Sequence, residues 1–298
     1  METDKLRYLF TSSLVLIVLL FCYASVFGQQ TPSPSPTPSP QKESEAKKLE
    51  QDLEDIFRIR PRHSSVSNPA NFNTAGVLQI EYGYGGYFRG KGFRSQQTGT
   101  LSISYAASER IGLEFDIDTI SSQQDPKFIR TKGIGDSRLG IQLDVADESK
   151  FSPSFAVSYF AKLPTASVAK DLGTGKVDHA FSLLFSKKVG KFDIDLNSGL
   201  LISSKQGEKG FVMGGQFAFG VSRDLTEKVN LQAEIFGESK DADEPQGLFG
   251  SAIVSYRVNH KLSLNASVIV GLTRNSPRIG ATVGFTYAFA SFFKKIKK

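Results

Sequence analysis

Residues 60–290 of this 298-residue chain are predicted to form an all-β fold, a transmembrane up-and-down antiparallel barrel of about twelve strands. Three observations predict it. Short segments alternate apolar and polar residues, most of them run nine to eleven residues, and the connections between them are alternately short and long. Nine to eleven residues is the length a tilted strand needs to cross a bilayer core. In the segment 111–118, Ile111, Leu113, Phe115 and Ile117 interleave with Gly112, Glu114, Asp116 and Asp118. A period of two puts the apolar side chains on one face and the carboxylates on the other. Alternation alone would also suit a half-wet soluble sandwich, so the flanking segments and the connections decide.

Residues 1–28 read as a secretory signal: Lys5 and Arg7 precede the apolar run 14–21, and 25–28 offers small residues for cleavage. A retained anchor over 9–27 is the competing reading, because that stretch is nearly long enough to span a bilayer. Cys22, the only cysteine, lies inside this segment, and the bulky Phe21 before it argues against a lipoprotein site. Removal of the signal leaves no thiol, which excludes disulfides, cysteine nucleophiles and cysteine-based metal sites. Residues 29–40 are a Pro/Ser-rich linker expected to be extended polyproline II. Residues 41–59 place Ala46, Leu49, Leu53, Ile56 and Phe57 at helical spacing, predicting a short amphipathic helix ended by Pro61. That helix either packs on the barrel mouth, plugs it or docks a periplasmic partner. Residues 291–298 form a basic tail with Lys294, Lys295, Lys297 and Lys298.

The twelve strands are expected at 77–87, 98–107, 110–121, 135–146, 154–163, 180–188, 192–203, 212–222, 229–237, 248–258, 262–272 and 278–289. With the first strand leaving the periplasm, the inner turns 108–109, 147–151, 189–191, 223–228 and 259–261 are short. The outer connections 88–97, 122–134, 164–179, 204–211, 238–247 and 273–277 are mostly longer and rich in Gly, Lys, Asp and Pro. That asymmetry is expected of an outer-membrane barrel and has no reason to exist in a sandwich. Aromatic residues gather at strand ends, Tyr84, Tyr87 and Phe88 at the outer rim, Phe185 and Phe192 by an inner turn, Tyr287 and Phe289 near the end, as interfacial girdles without any Trp. The mean hydropathy of −0.18 excludes a helical membrane bundle.

Charged groups on a lipid face cost about 2–4 kcal/mol each at mid-membrane, so the polar half of each strand is assigned to the lumen. The candidate lumen-lining residues are Glu114, Asp116, Asp118, Arg138, Asp144, Lys162, Asp193, Asp195, Glu234 and Arg257. This set leans acidic, which predicts a weak cation preference if the lumen conducts; a paired network filling a closed barrel is the other reading. The net charge of +6 owes much to the basic tail, and the basic ends and loops suit lipopolysaccharide phosphates or periplasmic acids rather than nucleic acid. No cofactor is expected. His179 and Ser182, the one local pair that resembles a hydrolase site, fall on opposite faces of a strand, and Asp241, Asp243 and Glu244 lack a calcium-loop spacing. Gly133-Ile-Gly135 and Gly173-Thr-Gly175 do not join a strand to a helix as a phosphate loop must.

Arg60-Pro61, the first-strand residues Gly76, Gln79, Glu81 and Gly83, then Gly133-Ile-Gly-Asp136, Lys162-Leu-Pro-Thr165, Leu172-Gly-Thr-Gly175 and Asp178 carry a family resemblance. Over about 60–289 the chain resembles the outer-membrane transporters named after the meta-pathway of phenol degradation. The resemblance implies an outer-membrane barrel, with outer-membrane lipids and the barrel assembly machinery as partners, that passes small, often aromatic or hydrophobic, molecules. It brings no catalytic residue. The usual terminal aromatic of such barrels is displaced here, because residues 290–298 follow Phe289. Two functions compete: a passive solute channel filtered by the outer connection 164–179, and a structural or adhesive barrel with a filled lumen.

Overall fold

The computed structural model describes residues 64–72, 74–205, 210–239 and 247–289. The predicted signal, linker, amphipathic helix and basic tail lie outside the described residues. Within them the chain is antiparallel sheet: β1 (Leu78–Gly90), β2 (Phe93–Ala106), β3 (Ile111–Gln124), a short β4 (Arg130–Gly133), β5 (Ser137–Ala146), β6 (Ser154–Leu163), β7 (Asp178–Val189), β8 (Phe192–Ser204), β9 (Phe211–Asp224), β10 (Val229–Ser239), β11 (Gly247–Asn259), β12 (Leu262–Gly271) and β13 (Ile279–Ala288). Each wall strand pairs with its sequence neighbours, and β1 pairs with both β2 and β13, so the sheet closes. β4 belongs to the same sheet, pairing with the outer end of β3 at Ser121–Gln124, while β5 pairs with the inner part of β3 at Ile111–Ile117. The result is a closed barrel of twelve wall strands, whose closure removes the open edges a spanning sheet could not carry into lipid.

The alternation sets the two faces. Leu113, Leu139, Leu143, Leu196, Leu231, Ile235, Leu264, Val268 and Val283 all lie exposed on the outer surface. Inward positions are polar and buried: Gln79, Glu81, Asp116, Gln142, Asn197, Glu234, Asn265 and Thr286. An apolar exterior around a polar interior inverts a soluble protein, and makes this an outer-membrane barrel.

Two outer connections differ from the expectation. The segment 88–97, expected as a loop, continues the β1–β2 ladder to the pair Gly90 and Phe93, with Gly92 at φ +85° in the tight turn. Likewise 122–134 is largely strand, with Ser121–Gln124 paired to β4. Their Gly, Lys, Asp and Pro content suits loops, but backbone pairing continues above the lipid wherever a partner strand is equally long. Tyr87 is a further correction: it was assigned to the outer girdle, whereas its ring faces the interior, 5.6 Å from Phe249. Tyr84 and Phe88, three residues before and one after it and on the opposite face of β1, do lie exposed on the outside.

Candidate functional site

The interior is constricted near its inner-turn end by the segment that precedes β1. Residues 64–72 run around the inside of the wall and touch its strands in spatial order. Ser64 donates to Asn265 of β12 and accepts from Thr282 of β13. Four donors of the hoop, the Ser65 and Ser67 hydroxyls and the Val66 and Ser67 amides, converge on the Glu234 carboxylate of β10. Asn68 and Asn197 of β8 exchange reciprocal bonds of 2.6 and 2.8 Å. Ala70 donates to Ser186 of β7 and packs with Ala156 and Leu184. The Gln142 amide of β5 donates to the Ala70 carbonyl at 3.0 Å, and the Phe72 amide donates to Asp144 at 2.9 Å. Gly76, at φ +85°, then donates to Ala106 as the chain turns into β1.

Such a hoop needs room and donors, and the wall supplies both. A side chain at Gly112 would meet the Phe72 ring, and one at Gly220 would meet the Ser67 hydroxyl. These two glycines are required by close approach, since each lets foreign chain lie against bare backbone. Glu234 is 4 % exposed and accepts further bonds from Gln232 and Ser251. A carboxylate removed from water in this way is stabilised by its several donors, each worth about 1.5–3 kcal/mol net.

The outer end is organised differently, around Lys162 of β6. Its ammonium lies 2.7 Å from Asp178 and 3.1 Å from Asp136, and donates to the Thr174 hydroxyl. Asp136 also accepts from the Ala166 amide, and the Thr165 hydroxyl donates to the Gly135 carbonyl. The connection between β6 and β7, with a 3-10 turn at Val168–Lys170, is thereby clasped to the start of β5. A side chain at Gly133 would strike Leu172, and one at Gly135 would strike Asp118. Four separate sequence motifs, around Gly133, Lys162, Leu172 and Asp178, meet in this one clasp.

Between hoop and clasp the interior has two unlike walls. On β3 and β5, Arg138 bonds Asp116 at 3.1 Å; its side chain is 52 % exposed although it faces inward, while that of Asp116 is 3 % exposed. Thr100 donates to Asp118 at 2.7 Å. On the other side Phe236, Phe249, Ile269 and Ala218 form a buried cluster with Tyr87 against it. Phe236 stacks on Phe249 at 5.1 Å. Alternation alone does not single out these inward apolar residues, because an apolar side chain can face either lipid or an interior cluster.

The other expected lining residues fall as follows. Glu114 sits on the inner face opposite Gly140. Asp144 and Glu234 are engaged by the hoop, and Asp195 accepts from Ser186. Asp193 pairs across to Ser222 near the inner rim, and Arg257 lies at that rim, donating to the Glu227 carbonyl. His179 and Ser182 do point apart: His179 bonds the Tyr159 hydroxyl outside, and Ser182 accepts from Gln216 inside. Among the described residues no group of His, Cys, Asp and Glu is arranged to hold a metal ion.

A closed barrel with an apolar exterior and a polar interior, with chain segments bound inside its inner end and at its outer end, defines the class: an outer-membrane β-barrel. The chain belongs to the family described as "Putative MetA-pathway of phenol degradation", whose profile matches residues 62–289. Its fold is similar to an outer-membrane channel from Pseudomonas putida F1, at TM-score 0.61 and 14 % identity over 78 % of this chain and 100 % of that one. It is also similar to the porin KdgM, solved in complex with disordered oligogalacturonate, at TM-score 0.51 and 10 % identity over 71 % and 99 % of the two chains. No curated protein matches the sequence.

Proposed function

We propose that this protein is a passive, non-enzymatic channel for small solutes whose conductance is set chiefly by the hoop at residues 64–72. The observation that carries the reading is the inward-facing Arg138, whose side chain stays 52 % exposed: space remains beside it that a filled lumen would occupy. The candidate lining residues retain an acidic excess, which supports a weak cation preference; the pairing of Asp116, Asp144 and Glu234 with protein groups keeps that preference small. Facing the charges, the partly exposed Tyr87 ring, backed by the buried Phe249 and Phe236, gives the interior one apolar patch, in keeping with the aromatic or hydrophobic cargo the family resemblance implies. The hoop favours a mostly closed resting state, which the structural-barrel reading shares. Planar-bilayer recording of the refolded full chain separates the two. The channel reading expects discrete conductance steps that grow when the hoop is loosened at Glu234. Silence in both forms, with heat-modifiable gel mobility showing a folded barrel, overturns it.

A further inference from the structure

We propose that the outer tips of β1 to β4 form a binding site for the phosphate groups of an outer-leaflet glycolipid. The site is a cleft of about 480 Å³. Three of its lining residues are arginines, Arg89, Arg94 and Arg130, and none is acidic. Among the described residues no carboxylate lies within ion-pair distance of the three guanidinium groups. Unpaired guanidinium groups around a cleft present forked donors matched to phosphate oxygens.

The local fold holds the arginines in place. The Asp125 side chain caps the Ile129 amide at 2.8 Å and the Gln124 amide donates to the Phe128 carbonyl, building a tight arch with Phe128 at φ +69°. The arch sets the Phe128 ring 3.8 Å from the Arg94 guanidinium. Arg130 reaches the Gln97 and Ser122 oxygens at 3.4 Å each, contacts long enough to be exchanged for a stronger acceptor.

Position selects the lipid as the source of phosphate. Along the outward face of β2 and β3 the residues Ile103, Leu101 and Ile117 give way to Gln97, Ser122 and Gln124, opposite the outward aromatic rings of Tyr84 and Phe88. That change from apolar to polar marks the boundary between hydrocarbon and headgroups. The cleft opens just beyond it, with Phe88 and Phe93 in its lining. This inference rests on the outer-membrane orientation of the barrel and is independent of conductance.

The test titrates the refolded full chain in detergent with bisphosphorylated lipid A, its dephosphorylated counterpart and inorganic phosphate, by calorimetry. Saturable binding of bisphosphorylated lipid A is expected, weakened at least about tenfold in Arg94→Gln/Arg130→Gln. Arg110→Gln, at the opposite end, is expected to bind like the parent, and conductance is expected to be the same in all three proteins. Equal binding of dephosphorylated lipid A, undiminished binding by the double variant, or inorganic phosphate binding as tightly as lipid A would each overturn the proposal.

Discussion

The two ends of the barrel interior are narrowed by different chemistry. The inner end is narrowed by a main-chain segment whose amides and serine hydroxyls reach a series of wall residues, with Glu234 taking the largest share. At the outer end one ammonium, Lys162, holds two carboxylates on either side of a loop. A distributed set of neutral donors weakens gradually as bonds are lost, except where many share one acceptor. A single central charge, when removed, leaves two like charges facing each other. The inner constriction is therefore a positional device and the outer one an electrostatic device.

The largest effect is expected from Glu234→Ala. It removes the acceptor shared by Ser65, Val66 and Ser67 and weakens hoop attachment by on the order of 3 kcal/mol. Single-channel conductance is expected to rise several-fold. Gly220→Leu should act in the same direction by wedging a side chain where Ser67 lies, with a smaller rise because the Asn68 and Asn197 bonds persist. Conductance unchanged by both substitutions would show that the hoop does not limit flow.

At the outer end, Lys162→Met leaves Asp136 and Asp178 partly buried and unneutralised, at about 1–3 kcal/mol, less than for a fully buried pair. The reversal potential in a salt gradient is expected to move toward stronger cation preference, with open-channel noise from a released outer loop. Current of unchanged selectivity would remove the electrostatic half of the comparison. The smallest effect is expected from Arg138→Gln: a modest cation-ward shift with little change in conductance, because Asp116 keeps its buried site.

How much of this was legible in the sequence differs between the ends in the same way. The clasp was visible as short motifs around Asp136, Lys162, Leu172 and Asp178, although nothing in their spacing revealed that they meet. The hoop was invisible to periodicity, because Ser64-Ser-Val-Ser-Asn-Pro-Ala-Asn71 has neither a helical nor a strand period. Its available signals were indirect: small polar residues just before the first strand, and glycines at the inward positions 112 and 220. The faces of β3, β5, β8 and β10 were legible because ionisable residues alternate there. Tyr87, Phe236 and Phe249 were not, since an apolar side chain fits lipid or an interior cluster equally well and only strand register distinguishes them.

The central claim is that the position of residues 64–72 controls flow, and a reversible tether tests it within one molecule. The Ser64 and Thr282 hydroxyls are 3.2 Å apart, so Ser64→Cys/Thr282→Cys places two thiols within bonding reach. In the Glu234→Ala background, the oxidised channel is expected to conduct at the low level of the parent and to open several-fold on reduction in the same bilayer. Equal conductance before and after reduction, with the disulfide verified by mass spectrometry, would contradict the account.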